Sequence, residues 1–259
     1  MKLELQAGCT APGLTTEGLR EPARVLDPFL KVEQFRMGAS AIAPHPHAGL
    51  SSVTYLFADS PGGLVARDSL GGEHAIEPGD LHWTLAGRGL MHDEFPRRPG
   101  REAQGLQLLV NLPAAQKGCE PAVRRLAAAR MPVATGPGWR RVQVFGGASP
   151  LALPWPAALA VLDLDAGARY EGALPEGEQG FALVLRGRLD GADRAFELPA
   201  AFRLQAGDAP CRVALCHGRP LREPLVRHGP FAMNDEAQIV AAIERFQNGG
   251  MGRLSPRQL

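Results

Sequence analysis

The chain has 259 residues, of which 45% are hydrophobic, and its formal net charge is +1. This balance favours neither nucleic acid nor an anionic membrane as a partner. No apolar run approaches the ~18 residues that span a bilayer, which excludes an integral membrane protein. Glu4 interrupts the stretch where a signal peptide needs its apolar core, and the four cysteines form no C-x-x-C pair. We therefore expect a cytoplasmic protein with reduced thiols.

Short apolar and β-branched runs recur along the chain between scattered glycines and prolines, of which there are 31 and 23. Many short strands at close turn spacing predict an all-β protein built as a sandwich or barrel. The runs are residues 52–57, 106–111, 142–145, 182–185 and 212–216.

Helical periodicity is convincing only near the C-terminus. Asn234 or Asp235 can cap a helix there, and residues 248–250 (Asn-Gly-Gly) can end it. The apolar residues that share one face of this predicted helix are Ile239, Val240, Ile243 and Phe246.

The pattern changes near the middle of the chain. Residues 113–138 are rich in Ala, Arg, Pro and Gly and lack strand alternation, which predicts a linker with a short helix. A Gly-Asp turn before a strand occurs on both sides, at Gly79-Asp80 and Gly207-Asp208. This weak internal repeat favours a duplicated barrel of the cupin type. The predicted domains are a barrel at 1–112, the linker, a second barrel at 139–233, and a helix with a tail at 234–259.

Two short motifs in the first half carry chemistry. His45-Pro46-His47 and His92-Asp93-Glu94 each place two ligating side chains at i and i+2, roughly 6–7 Å apart on one face of a strand. Strands that bring the two motifs face to face would form a four-ligand cage for one metal ion. A lone H-x-H is as often an ordinary polar strand end, but the matched H-x-E favours the metal.

The remaining histidines have no partner at ligand spacing, so we expect no functional role for them. They are His74, His82, His217 and His228, of which His82 lies beside Trp83 on the approach to His92.

The types of ligand narrow the choice of metal ion. Three imidazoles and one carboxylate lack the thiolates of a closed structural zinc site. The set resembles the two-His-one-carboxylate arrangement with an added His, which suits one iron(II) per chain, with manganese, nickel, cobalt, copper or zinc as alternatives. Six-fold coordination would leave two open positions, and an open site is more often catalytic than structural.

Longer motifs resemble the pirin family of the cupin superfamily. They are residues 45–50 (HPHAGL), 52–55, 67–71, 78–80, 83–94 (WTLAGRGLMHDE), 106–113 (LQLLVNLP) and 223–234 (EPLVRHGPFAMN). The resemblance covers most of the chain and implies a bicupin, with two β-barrels in one chain and a metal only in the N-terminal one. The matching family ligands fall on His45, His47, His92 and Glu94.

The chain departs from the family pattern after the H-P-H motif. Where pirins usually carry Arg, then Gly-Phe-Glu, this chain lacks the Arg, the Phe and the Glu and has Ala48, Leu50 and Ser51. By strand alternation Ser51 is predicted to face inward with the two histidines, at the place from which other cupins supply a ligating Glu. The carboxylate must then come from Glu94. His82 replaces a common Gln.

The second half offers no comparable ligands. Residues 181–185 alternate Phe and Leu with Ala and Val in a fully apolar strand, and no H-x-H occurs. The second barrel is therefore predicted to bind no metal.

The resemblance implies a metal-dependent dioxygenase acting on a flavonol such as quercetin with O2. On chemical grounds we expect Glu94, if it loosens from the metal, to accept the substrate's hydroxyl proton. The alternative is a regulatory protein whose metal redox state alters its affinity for a partner enzyme or transcription factor. In either case we expect a monomer that binds neither nucleic acid nor membrane directly.

Overall fold

The computed structural model describes residues 1–20, 26–39, 42–151 and 155–256. In this part of the chain the helix α1 (Glu236–Gln247) follows a long series of strands, with short 3-10 turns at Ala114–Gln116 and Ala128–Arg130. The strands are, in chain order, β1 (Gln6–Ala11), β2 (Leu14–Arg20), β3 (Phe29–Met37), β4 (His45–His47), β5 (Leu50–Leu56), β6 (Leu64–Asp68), β7 (Glu73–Ile76), β8 (Leu81–Leu85), β9 (Leu90–Pro96), β10 (Ala103–Asn111), β11 (Ala122–Leu126), β12 (Val133–Gly136), β13 (Trp139–Phe145), β14 (Ala157–Leu164), β15 (Arg169–Ala173), β16 (Gln179–Arg186), β17 (Ala195–Leu198), β18 (Ala201–Gln205), β19 (Cys211–Gly218), β20 (Val226–His228) and β21 (Phe231–Met233).

The chain divides into two compact units. Unit 1 consists of Met1–Gln6, Gly18–Pro28 and Ala129–Leu221, and unit 2 consists of Ala7–Glu17, Phe29–Ala128 and Arg222–Leu259. The predicted domain limits follow chain order, whereas these units do not, because each contains a segment from the opposite end of the chain. The segment predicted as a linker contains β11, which pairs with β8, and β12, which pairs with β13.

Unit 2 is built from two sheets that enclose a common core. The strand order of the large sheet is β1-β2-β3-β10-β5-β8-β11, and that of the small sheet is β4-β9-β6-β7. Side chains from both sheets meet in one apolar cluster, since Leu56 of β5 and Phe35 of β3 pack with Leu64 of β6 and Ile76 of β7. This is the construction of a cupin barrel, and it leaves β4 and β9 side by side on the small sheet.

Unit 1 repeats the plan with a six-stranded sheet, β12-β13-β14-β19-β16-β17, and a two-stranded sheet of β15 and β18. Tyr170 and Leu204 of the small sheet pack against Leu162, Val184 and Val213 of the large one.

The internal repeat is visible in the strand pairing. The order β3-β10-β5-β8 in unit 2 matches β14-β19-β16-β17 in unit 1, and every neighbouring pair in both series is antiparallel. The prediction of an all-β bicupin with a short C-terminal helix is confirmed. The predicted strand runs fall on β5, β10, β13, β16 and β19, and only the first of them, 52–57, extends beyond its strand, by one residue.

The C-terminal helix α1 begins where the sequence predicted, since the Asp235 side chain accepts a hydrogen bond from the Gln238 N–H at 2.8 Å. Its predicted inward face is partly wrong. Ile239 and Ala242 are buried, whereas Val240 is 52% exposed and Phe246 is 39% exposed. Val240 lies about 100° around the helix from Ile239, and Phe246 lies in the last turn. The last three residues of the predicted tail, 257–259, lie outside the described residues. In the part of the chain that the structure describes, no helix is long and apolar enough to cross a membrane.

Gly49 joins β4 to β5 in a conformation that favours glycine, with φ at +73°. Its N–H donates to the Gly87 carbonyl at 2.8 Å. A Cβ atom at this position would lie 1.9 Å from the Ala232 carbonyl oxygen, because the C-terminal segment passes directly over it. The chain therefore needs glycine here for two independent reasons, its backbone angle and its lack of a side chain.

We expect Gly49→Ala to destabilise the protein more than Gly100→Ala does. Gly100 shares the positive φ (+75°), but a Cβ atom at that position would have no other atom within 4 Å, so Gly100→Ala should cost only about 1–2 kcal/mol of backbone strain. Overpacking at Gly49 should add about 1–3 kcal/mol. Urea denaturation of both variants measures the difference, and equal midpoints would contradict the close approach of Ala232.

Candidate metal centre

The antiparallel pairing of β4 with β9 brings the two motifs of the sequence together. In this register His45 lies opposite His92, and His47 lies opposite Leu90. Since His45 and His47 are two residues apart, their side chains leave β4 on the same face. The two motifs thus lie side by side on neighbouring strands of the small sheet.

Three histidines converge on one point. The ligand atoms of His45, His47 and His92 all lie within 4.8 Å of one another, and the ring centroids are 4.6–4.9 Å apart. The Nε2 atoms of His45 and His92 are 3.1 Å apart. Two nitrogen ligands with bonds of about 2.0–2.1 Å take such a separation when they meet an ion at nearly a right angle.

Backbone carbonyls orient two of the three rings. Nδ1 of His45 donates to the Ala43 carbonyl at 3.0 Å, and Nδ1 of His47 donates to the Pro230 carbonyl at 3.2 Å. These bonds leave the Nε2 lone pair of each neutral ring free for a ligand, as carbonyl partners of metal-binding histidines commonly do. Nδ1 of His92 is buried and has no hydrogen-bond partner among the described residues.

Burial keeps the imidazoles neutral. It lowers the pKa of His45, lowers that of His47 to about 3, and lowers that of His92 well below its ordinary value of 6.5. Mutual repulsion between the three rings adds to the shifts of His47 and His92. Neutral imidazole is the form that binds metals, so the three residues fit a divalent transition-metal ion.

Glu94 lies two residues after His92 on β9 and is 9% exposed. Its two carboxylate oxygens lie 2.7 and 2.8 Å from the Thr54 hydroxyl, which donates to them. Burial raises the pKa of Glu94 to about 7, and the Thr54 hydrogen bond opposes that rise. The carboxylate is not within the 4.8 Å group that the three histidines form. Its place as a fourth ligand stays a prediction.

Ser51 does not face the histidines, and that prediction is wrong. Ser52 and Thr54 of β5 share the face that meets Glu94, since the Thr54 hydroxyl bonds the carboxylate and Ser52 Oγ lies 2.8 Å from the side-chain amide of Gln107. Ser51 points to the opposite face of the strand. The reason is Gly49, whose positive φ interrupts the alternation that the sequence argument carried from β4 into β5.

The cross-strand partners of Thr54 were missed from the sequence. Gln107 of β10 lies directly opposite Thr54, and so does His82 of β8 on the other side. Directly opposite residues of antiparallel strands share a face, so both side chains line the interior that contains Glu94. Alternation counted afresh from Leu50, the first residue of β5, places Ser52 and Thr54 on one face, but their meeting with Gln107 and His82 depends on strand pairing.

His82, expected to have no partner, has a ring centroid 6.0 Å from that of His74, and it is 2% exposed. Burial lowers its pKa to about 4. His217 lies in unit 1, where its Nδ1 is 2.5 Å from the Glu178 carboxylate, and His228 is exposed on β20. None of these four belongs to the group of three converging histidines. The absence of metal from the second barrel stays a prediction.

The C-terminal segment, Arg222–Leu259, forms hydrogen bonds next to the histidines of the centre. Beyond the Pro230 contact, the Ala232 N–H donates to the Ala48 carbonyl at 3.0 Å, next to His47. The Ser69 hydroxyl donates to the Met251 carbonyl at 2.7 Å and accepts from the Met91 N–H at 3.0 Å, next to His92.

Lys117 joins the same elements from a buried position. Its ammonium group donates to the carbonyls of Gly49 and Ala232 and to the Asn111 side chain, at 3.0, 2.8 and 2.6 Å. All three of its protons are therefore used, as burial of an ammonium group requires.

Two similar β-barrel units, one of them with three converging histidines, define the class of protein as a bicupin with a candidate metal centre. The Pirin family matches residues 18–110, and the Pirin C-terminal cupin domain matches residues 159–252. Human Pirin is 34% identical over 251 residues, which cover 90% of this chain and 86% of the human one. The chain therefore belongs to the pirin family, as the sequence motifs predicted.

Solved structures share the fold. Quercetin 2,3-dioxygenase from Acinetobacter baumannii superposes with a TM-score of 0.82 at 23% identity and covers 98% of both chains. The bacterial pirin YhhW from Escherichia coli, solved in complex with nickel(II), has a TM-score of 0.66 at 16% identity and covers 84% of this chain and 99% of its own. At these identities the likeness shows the fold alone.

We expect about one divalent metal ion per chain. The ion should be lost in His45→Ala and in His92→Ala, because each change removes one of the side chains that bind it directly. The fold should survive, since the barrel has its own apolar core. His228→Ala is the control, because His228 is exposed on β20. Elemental analysis of protein purified without chelator measures the stoichiometry. Unchanged metal content in both histidine variants would contradict the assignment.

Proposed function

We propose that the protein is a metal-dependent dioxygenase that cleaves a flavonol such as quercetin with O2. The observation that carries the proposal is the convergence of three neutral imidazoles, of which His47 and His92 are buried and His45 is half-buried. The buried carboxylate of Glu94 follows His92 on the same face of β9. The fold shared with a quercetin 2,3-dioxygenase supports it. Membership of the pirin family is consistent with it but does not by itself define an activity.

The proposed centre holds one divalent transition metal through His45, His47 and His92, with Glu94 as a fourth ligand. Imidazole with a single carboxylate and no thiolate suits iron(II), and also manganese, nickel, cobalt, copper or zinc. When bound, such an ion supplies Lewis acidity toward the hydroxyl and ketone oxygens of a flavonol and a route for electrons to O2.

The chain's own residues have separate parts in this proposal. Ala43 and Pro230, through their carbonyls, hold two of the rings with Nε2 directed inward. Glu94 accepts the proton of the flavonol hydroxyl at a carboxylate oxygen, as a buried carboxylate on the same face as His92 is placed to do. Thr54 restricts the orientation of that carboxylate.

We expect metal-loaded protein to consume quercetin and O2 together, in equal amounts, and His45→Ala to consume neither. An oxygen electrode and the loss of flavonol absorbance measure the two reactants in one sample. His228→Ala again serves as the matched control and should retain full activity. Absence of turnover by fully loaded protein across a range of flavonols would contradict the enzyme and favour a metal-dependent regulatory protein.

We expect Glu94→Gln to remain slow even when the site is filled with metal. The amide keeps the size of the side chain and an oxygen donor, but it cannot accept the proton, so kcat should fall by roughly 10²–10⁴-fold. Activity is to be measured with increasing metal until it no longer rises. Recovery of full activity in excess metal would show that Glu94 serves as a ligand only.

A further inference from the structure

A row of hydrogen-bonding side chains leads away from Glu94 across the interior of unit 2. Thr54 Oγ1 lies 2.7 and 2.8 Å from the two carboxylate oxygens and 3.0 Å from Oε1 of Gln107. The Gln107 amide lies 2.8 Å from Ser52 Oγ. Ser52 is 3% exposed and Thr54 is 1% exposed, so solvent does not supply their partners.

While Glu94 is ionised, counting protons requires the Gln107 amide to be turned around, so that its nitrogen faces Thr54 and its oxygen faces Ser52. A threonine hydroxyl has one proton, whereas three oxygens surround Thr54, and an ionised carboxylate donates nothing. With Oε1 of Gln107 facing Thr54, two oxygens would meet without a proton between them. The amide nitrogen and oxygen have nearly the same shape, so their assignment follows from the network.

One arrangement gives every proton an acceptor while Glu94 is ionised. The Ser52 hydroxyl donates to the Gln107 carbonyl, the Gln107 amide donates to Thr54, and the Thr54 hydroxyl donates to Glu94. The sequence of donors runs in one direction and ends on the carboxylate. Because Gln107 occupies a lone pair of Thr54, the hydroxyl proton can only turn toward Glu94.

We propose that Thr54 and Gln107 are positioning residues that hold Glu94 for the metal centre, with Ser52 fixing the amide of Gln107. The inference rests on the proposed function, in which Glu94 is a ligand and the proton acceptor. Thr54 belongs to the large sheet and Glu94 to the small one, so this bond fixes the carboxylate against the opposite wall of the barrel. Outer partners of this kind commonly govern metal affinity without contacting the ion.

The direction of the row is tested by NMR on the full chain freed of metal. The Gln107 side-chain amide is assigned by its loss in Gln107→Met, and its hydrogen-bonded proton exchanges slowly with solvent. We expect that slow proton to disappear in Thr54→Val and to persist in Ser52→Ala. The reverse pattern, or no slow proton in the parent protein, would overturn the proposed arrangement.

The link to the metal centre is tested by cobalt(II) titration, which also reports ligand number through the absorption spectrum of the ion. We expect Thr54→Val to weaken binding by about 10–100-fold, and Thr54→Ser, which keeps the hydroxyl, to recover most of it. In a Glu94→Gln background Thr54→Val should have little further effect, because Thr54 acts through Glu94.

Gln107→Met should resemble Thr54→Val in the cobalt titration. Its control is Gln143→Met, because Gln143 is a buried glutamine of unit 1 that bonds the carbonyls of Phe145 and Leu159. The proposal would be overturned if the losses of cobalt affinity caused by Thr54→Val and by Glu94→Gln simply multiply in the double variant. It would also be overturned if Glu94→Gln left the cobalt affinity unchanged. Neither the NMR experiment nor the cobalt titration measures turnover. If the protein has no dioxygenase activity, the proposed function is refuted, but both experiments still decide whether Thr54 and Gln107 position Glu94.

Discussion

The register between β4 and β9 is the constraint on which the candidate metal centre depends. It sets His45 opposite His92 and so fixes the 3.1 Å separation of their Nε2 atoms. A slip of one residue would turn the side chains of one strand to the other face and disperse the three rings. The register is held from both sides, since β9 also pairs with β6 and Asp93 on its outer face is bound by Arg67.

Two kinds of group hold the polar side chains in the interior of unit 2. Backbone carbonyl groups fix His45 and His47, whereas the Thr54 hydroxyl of the large sheet holds Glu94. The burial that keeps the imidazoles neutral also makes an unpaired carboxylate costly, so the hydroxyl of Thr54 serves stability and orientation at once. A site of this kind tolerates few changes, either in the backbone that orients the histidines or in the side chain that holds Glu94.

The strands, the C-terminal helix and the histidines of the centre could be predicted from the sequence because the patterns that indicate them are local. The i, i+2 spacing of His45 with His47 and of His92 with Glu94 indicates a shared face whatever the surrounding fold, and the strand runs and the helix cap at Asp235 are equally local. The inward position of Ser51 failed because one positive φ, at Gly49, resets strand alternation. Thr54 and Gln107 are 53 residues apart and meet only through strand pairing, which no spacing rule reveals.

The path of the C-terminal segment has a consequence for the order in which the protein can mature. Chains fold from the N-terminus as the ribosome releases them. The carbonyl that orients His47 belongs to Pro230, and the one bonded by Ser69 belongs to Met251. A nascent chain that has completed β10 already contains all three histidines, yet it lacks the residues that fix His47. The centre therefore reaches its final form only after translation has passed Met251.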